Sequence, residues 1–165
     1  MGENLIKDES LEDLAGVCPA VNNLQTPNSI KLYEMAASCL GKFLVPKGYD
    51  PMYGCAIAVN SVYKRAFGIE IGGDASTYNL LQALIKSENF KEVTIPLPGD
   101  IIMCATGTQP ATSPLKHGHV GIVAKYGILS NNSANGVWSE NYTLGTWMER
   151  YVTIGQFPVR YFRPL

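Results

Sequence analysis

The sequence predicts an α+β fold in which N-terminal helices pack on a mostly antiparallel β-sheet. Apolar residues recur at helical spacing up to about residue 85, and from about residue 93 the apolar segments become short, rich in β-branched residues and separated by turn signals. Of the 165 residues, 46% are hydrophobic, which suits one domain with a substantial core. We therefore divide the chain into an N-terminal arm, residues 1–27, and a single domain, residues 28–165.

Three helices are predicted in the first half of this domain. The first begins at Asn28 or Ser29, since either residue can cap a helix. Its apolar stripe consists of Leu32, Ala36, Leu40 and Phe43. The second helix spans Cys55 to Phe67 and follows a turn-prone segment. The third helix is capped by Ser76 or Thr77 and ends the helical part of the chain.

The sheet is predicted from segments rich in β-branched or apolar residues. These are Val93 to Ile95, Asp100 to Ala105, His119 to Lys125, Ile128 to Asn131 and Val159 to Phe162. Turn signals lie at Pro98-Gly99, Gly127 and Asn135-Gly136. Since several of these connections are short, most neighbouring strands should run antiparallel.

Charge and hydropathy exclude two classes of partner. The net charge of −1 provides no basic surface for nucleic acid or for an anionic membrane. No apolar run approaches the roughly 20 residues of a membrane span, so we expect no membrane insertion. The first ten residues are polar and acidic, unlike a secretory signal peptide, so we expect a protein made in the cytoplasm. We also expect a monomer.

The cysteines are expected to be free thiols, because they form no CxxC pair and no spacing typical of a zinc site or a disulfide framework. They are Cys18, Cys39, Cys55 and Cys104. Cys55 differs from the others because it begins a predicted helix, where unpaired N–H groups lower a thiol pKa and can bind an oxyanion. Its place on the apolar stripe of that helix also fits a simple core residue.

Only two histidines are present, and they lie two residues apart. In a strand starting at His119, residues 119, 121 and 123 face one side and Val120 and Ile122 face the other. Gly121 would leave room beside His119 for a helix end. We favour His119 over His117, which lies before the strand, as a general base for a thiol.

Two segments resemble a known family. Pro98-Gly99-Asp100-Ile101-Ile102-Met103 and Gly118-His119-Val120-Gly121-Ile122-Val123 are similar to the second half of papain-like peptidoglycan hydrolases, the NlpC-type peptidases and related CHAP domains. In these enzymes a histidine opens the second of the two strands, and a cysteine lies upstream at a helix N-terminus, as in Tyr53-Gly54-Cys55-Ala56. The Asp-Cys-Ser-Gly run of NlpC-type members is absent here.

The resemblance implies a papain-like fold with Cys55 as nucleophile and His119 as base. The third residue of the family is polar and follows the histidine by about a dozen positions, which fits Asn131. Asn132 and Glu140 remain alternatives for this role. The aromatic segment from Trp138 to Trp147 either lines a groove for the substrate or covers the sheet as part of the core.

The function implied by the resemblance is hydrolysis of amide bonds in bacterial peptidoglycan, by an endopeptidase or an N-acetylmuramoyl-L-alanine amidase. The substrate partner is then peptidoglycan at the cell wall, and no cofactor or metal is expected. A phage lysin is the first expectation for its biological role, and an injected antibacterial effector is the alternative. Two rival interpretations are an intracellular papain-like thiol hydrolase or acyltransferase and a non-catalytic phage structural or binding domain.

Overall fold

A computed structural model describes residues 24–165 of the chain. The predicted arm therefore lies outside the described residues, apart from residues 24–27. The helices are α1 (Pro27–Ser38), α2 (Cys55–Phe67), α3 (Thr77–Lys86) and the short α4 (Leu144–Trp147), which continues as a π-helix, Met148–Ile154. A 3-10 turn, Pro51–Tyr53, precedes α2. The strands are β1 (Phe90–Val93), β2 (Ile101–Cys104), β3 (His119–Val123), β4 (Ile128–Asn131), β5 (Trp138–Tyr142) and β6 (Arg160–Pro164).

The strands form one six-stranded sheet with the order β1-β6-β2-β3-β4-β5. Every adjacent pair in this sheet is antiparallel. The α+β prediction, with N-terminal helices on an antiparallel sheet, is thus confirmed. The sequence missed β5 and the helical segment that follows it, and it placed the first strand three residues too late in the chain.

Of the three helices that the sequence predicted, only α1 begins and ends at residues other than those expected. Thr26, and not Asn28 or Ser29, caps this helix: its hydroxyl accepts a hydrogen bond from the Ser29 amide at 3.0 Å, and Pro27 occupies the first turn. The predicted apolar stripe also runs too far, because Leu40 and Phe43 lie beyond the helix and are 49% and 70% exposed. Helix α2 has the predicted bounds, and Ser76, one of two candidates, caps α3.

The sheet separates two apolar clusters. On one face, α1, α2 and α3 cover side chains such as Met103, Val120 and Ile122; we call this cluster the helix-side core. On the other face, α4 and the π-helix cover a smaller cluster, the far-side core, which contains Cys104 and Trp147. Alternate residues of β2 and β3 thus enter different cores, as strand geometry requires. A side chain in β3 faces α2 or faces away from it according to its position in the strand.

A buried ion pair joins Asp100, which directly precedes β2, to the last strand. The guanidinium of Arg163 donates two hydrogen bonds to the Asp100 carboxylate, at 2.9 and 2.7 Å. Asp100 is fully buried and Arg163 is 4% exposed. Asp100 also accepts from the Leu97 amide, and Arg163 donates to the Ile95 and Leu24 carbonyls. The aspartate of the Pro-Gly-Asp motif therefore anchors the sheet and has no free carboxylate oxygen to offer a substrate.

Candidate active site

Cys55 is the first residue of α2, and the preceding turn fixes its position. Asp50 caps this turn by accepting a hydrogen bond from the Met52 amide at 2.9 Å. Gly54 then packs so closely that an added Cβ would lie 2.6 Å from Val45 Cγ2 and 3.1 Å from Asn131 Nδ2. Because no larger residue fits before the cysteine, the helix start is held against both the Val45 segment and β4.

The thiol of Cys55 lies near backbone amides but is almost fully buried, with 5% of the residue exposed. The amides of Val120, Ala56 and Cys55 itself lie within hydrogen-bonding reach of the sulfur and lower its pKa, as the helix N-terminus predicted. Burial has the larger effect and raises the pKa of the Cys55 thiol to about 11. The expectation of a reactive thiolate is therefore wrong for this resting state, in which the thiol is protonated at neutral pH.

This protonation state predicts how Cys55 reacts with iodoacetamide. Since the thiolate is the reactive form, the alkylation rate of Cys55 is expected to rise about tenfold per pH unit from about pH 7 to about pH 10, without levelling off. Peptide mass spectrometry of the alkylated chain, with N-acetylcysteine as the reference thiol, measures this rate. A rate that is already constant below about pH 8 would instead indicate a preformed thiolate–imidazolium pair.

A cavity of about 210 Å³ opens onto Cys55. Its walls include Tyr53, Thr77, Thr106 and His117. The two threonines are linked, since the Thr106 amide donates to Thr77 Oγ1 at 3.0 Å and Thr106 Oγ1 accepts from the Gly118 amide at 2.9 Å. They hold the loop before β3 in place beside the thiol. Nothing in the sequence pattern identified these threonines as part of the site.

The ring of His119 points away from α2, into the far-side core. It packs against the rings of Tyr142, Trp147 and Tyr151, with centroids 5.9, 5.5 and 5.7 Å away. Burial, with a smaller contribution from the positive charge of Arg150, lowers the pKa of His119 to about 4. The imidazole is therefore neutral at pH 7.

The backbone of His119 nevertheless lies at the thiol, because the Val120 amide that reaches the Cys55 sulfur is the next peptide group. The shared face of residues 119, 121 and 123 agrees with the strand alternation. The expectation that Gly121 makes room for a helix end is wrong. An added Cβ at Gly121 would lie 2.7 Å from Ile128 Cγ2 and from the Leu129 carbonyl oxygen, so the glycine accommodates β4.

Asn131 contacts the turn that precedes Cys55. Its Nδ2 donates to the Pro51 carbonyl at 2.8 Å, which fixes the orientation of the amide. Its Oδ1 is buried and has no hydrogen-bond partner among the described residues. A buried acceptor without a donor is costly, so this oxygen is available to a ring N–H that approaches the thiol.

The two alternatives to Asn131 are differently placed. Asn132 is occupied in its own turn, where its Oδ1 accepts from the Ala134 and Asn135 amides. Glu140 is exposed on β5. Of the three candidates for the polar residue, Asn131 is the one that contacts the segment around Cys55.

The structure thus brings Cys55, Asn131 and the backbone of His119 to one end of α2. Among residues 24–165, no hydrogen bond joins the thiol, a histidine ring and the Asn131 side chain. His117 lines the same cavity as Cys55, is exposed, and packs edge-on against Tyr53 with the ring centroids 5.5 Å apart. Either histidine must move its ring to reach the sulfur.

The remaining cysteines and the aromatic segment are core residues. Cys39 and Cys104 are free and buried, as is Cys55, whereas Cys18 lies outside the described residues. Trp138 and Trp147 are both fully buried, so the core interpretation holds for these two residues. Trp138 also donates from Nε1 to the Ala36 carbonyl at 3.0 Å, which ties β5 to α1. Tyr142 is partly exposed and lines a second cavity.

Comparison with known proteins gives a likeness of fold. No protein-family model matches this chain, and no curated protein matches it in sequence. Among solved structures, it is similar to a chain of the type VI native effector–immunity complex Tae3–Tai3 from Ralstonia pickettii, with a TM-score of 0.53 and 20% identity. The match covers 84% of this chain and 99% of the other. This chain therefore shares the fold of that protein.

Two further properties concern the described residues alone. None of the helices between residues 24 and 165 combines the length and hydropathy that a membrane span needs. In the same part of the chain, no three histidine, cysteine, aspartate or glutamate side chains are grouped to hold a metal ion.

Proposed function

We propose that this chain is a cysteine hydrolase that cleaves amide bonds of bacterial peptidoglycan, with Cys55 as the nucleophile. One observation carries the proposal: the Cys55 sulfur lies at the N-terminus of α2, faces three backbone amides and adjoins an open cavity. A cysteine that served only the core would need neither converging N–H groups nor access to a cavity. The fold shared with a chain of a type VI effector–immunity complex supports the same class of activity.

The chemistry follows from the groups around the sulfur. The Cys55 thiol attacks the amide carbon while the base takes its proton, and the Cys55 amide stabilises the oxyanion that forms. The protonated base then gives this proton to the leaving amine, which departs and leaves an acyl-enzyme. Water, deprotonated by the same base, hydrolyses the thioester and regenerates the thiol.

The base in this proposal is His119, with Asn131 as its positioning residue. In the aromatic cluster the imidazole is a weak base, because burial opposes its charged form. To engage the thiol, the start of β3 must change its backbone conformation, because the His119 ring lies on the sheet face opposite α2. Leaving the aromatic cluster removes that burial, and Asn131 Oδ1 is an unpartnered acceptor at this end of α2. The strand motif favours His119, whereas the place of His117 in the cavity beside Cys55 favours His117.

For the biological role, we propose an injected antibacterial effector in place of the phage lysin expected first. The specific observation is the shared fold with a chain of an effector–immunity complex. Both roles require the same reaction on the same polymer.

Digestion of purified sacculi tests the proposed activity. Wild-type protein is expected to release soluble fragments, and Cys55→Ala to release none, because the attacking sulfur is gone. Cys39→Ala is the matched control, since Cys39 is another buried free thiol in the helix-side core. Mass spectrometry of the products separates an endopeptidase, which creates a free amine on a stem-peptide residue, from an amidase, which releases peptides starting at L-Ala. Equal digestion by Cys55→Ala would overturn the thiol mechanism.

A further inference from the structure

A second cavity, of about 320 Å³, lies next to the proposed active site. Residues that line it include Asn132, Asn141, Tyr142, Arg150 and Tyr151. None of the residues lining the Cys55 cavity lines this one. Asn131 also lines it, and the same side chain bonds the Pro51 carbonyl in the turn before Cys55. A ligand in this cavity would therefore lie one side chain away from the segment that holds the nucleophile.

Most amide groups in this cavity are already engaged by the protein. Asn132 Nδ2 donates to Asn141 Oδ1 at 3.2 Å, and Asn141 Nδ2 donates to the Ser130 carbonyl and hydroxyl. These asparagines fix the wall formed by β4, β5 and the turn between them. They leave little hydrogen-bonding capacity for a ligand.

Apart from the buried Oδ1 of Asn131, the side-chain groups left free are donors. The hydroxyl oxygens of Tyr142 and Tyr151 lie 3.1 Å apart and form one hydrogen bond. Only one of the two hydroxyls donates in this bond, so the other remains free to donate to a ligand. The Arg150 guanidinium lies over the Tyr151 ring, 5.6 Å from its centroid, and forms no ion pair with any described residue. A cation on an aromatic ring, beside a free hydroxyl donor, is complementary to an anion with two acceptor oxygens.

We propose that this cavity binds a free carboxylate of the peptide substrate, held by the Arg150 guanidinium and a tyrosine hydroxyl. The inference rests on the proposed function and deepens it, because it names an acidic peptide as the substrate class. The cavity volume is at the lower end of the range for small-molecule sites, which suits one amino-acid unit. Arg150 is also near enough to lower the pKa of His119, so a carboxylate there would lie within electrostatic reach of the base.

Binding to the full-length Cys55→Ala variant tests this site without turnover. The probes are the tripeptide amide L-Ala-γ-D-Glu-L-Lys-NH₂, whose one carboxylate is the α-carboxylate of glutamate, and the same peptide with that group also converted to an amide. Isothermal titration calorimetry is expected to show the free acid binding about tenfold tighter. Adding Arg150→Gln is expected to remove this preference. Lys91→Gln, which removes a positive charge from the distant edge strand β1, is expected to keep it.

The outcomes separate this inference from the proposed function. Equal affinity for the two peptides in the Cys55→Ala protein overturns the carboxylate site, even if wild-type protein digests sacculi. A preference that Arg150→Gln removes supports the site, even if sacculi stay intact. A preference that survives Arg150→Gln places the carboxylate elsewhere and also overturns the inference. Because the two peptides are compared on one protein, the first result does not depend on how any Arg150 variant folds.

Discussion

Replacement of His119 by alanine is expected to lower kcat/KM for peptidoglycan hydrolysis by about 10²–10⁴-fold, the usual contribution of a general acid–base residue. The reason is that His119 opens the strand whose next amide, that of Val120, reaches the Cys55 sulfur, while Asn131 Oδ1 is an unpartnered acceptor near the same helix end. Replacement of His117 by alanine is expected to leave kcat/KM near that of wild type. Release of soluble fragments from labelled sacculi measures both variants.

Because His119 is buried, its loss also affects packing, and the experiment needs a readout that packing alone would not change. Added imidazole is expected to restore part of the activity of His119→Ala, since it replaces the missing base. Thermal unfolding of the same sample checks that the variant is folded during the assay. If His117→Ala is inactive and His119→Ala is active, the base is His117, and the inference from the strand motif to His119 is wrong.

Breaking the Asp100–Arg163 pair is expected to destabilise the protein by about 3–5 kcal/mol, the usual cost of leaving one buried charge without its partner. Asp100→Asn leaves the Arg163 guanidinium buried among carbonyl groups, with no carboxylate to balance it. Urea unfolding followed by tryptophan fluorescence measures the change, because Trp138 and Trp147 are both buried. The double variant Asp100→Asn with Arg163→Met is expected to be more stable than the sum of the single effects predicts.

The exposed pair between Arg160 and Glu92 is the matched control, because it also joins β6 to a neighbouring strand. Glu92→Gln is expected to cost less than about 1 kcal/mol, since solvent screens this pair. A cost for Asp100→Asn as small as that for Glu92→Gln would contradict the anchoring role that we assign to the Pro-Gly-Asp motif.

The parts of the fold that local signals specify were predictable. Helix α2 has the predicted bounds because Gly54 and Gly68 flank it, and Gly68 adopts the left-handed conformation that ends a helix. Strand β5 was missed because Trp138-Ser139-Glu140-Asn141-Tyr142 has no β-branched residue and a polar centre. Its pairing with β4 and its bond to α1 are tertiary contacts that no local pattern records.

The sequence located the helix start that carries Cys55 and the shared face in β3, but not the electrostatics around the thiol. The helix start identified Cys55, and the alternation in β3 correctly grouped residue 119 with residues 121 and 123. Residue 119 faces the far-side core because Trp147 and Tyr151 pack on that face of the sheet. These two residues belong to a helical segment that the sequence did not predict. The thiol pKa was misjudged because the helix N-terminus is visible in the sequence, whereas the cover provided by β3 is not.

The protonated state of Cys55 has a consequence for survival outside a reducing compartment. Oxidation by peroxide and exchange with disulfides both proceed through the thiolate. With a pKa of about 11, the resting thiol is ionised in about one molecule in ten thousand at pH 7. A protein that acts on the cell wall meets oxidants that the cytoplasm removes. Under the proposed function, the Cys55 nucleophile would therefore reach the wall in a form that is slow to be oxidised, and would become vulnerable when the base engages it.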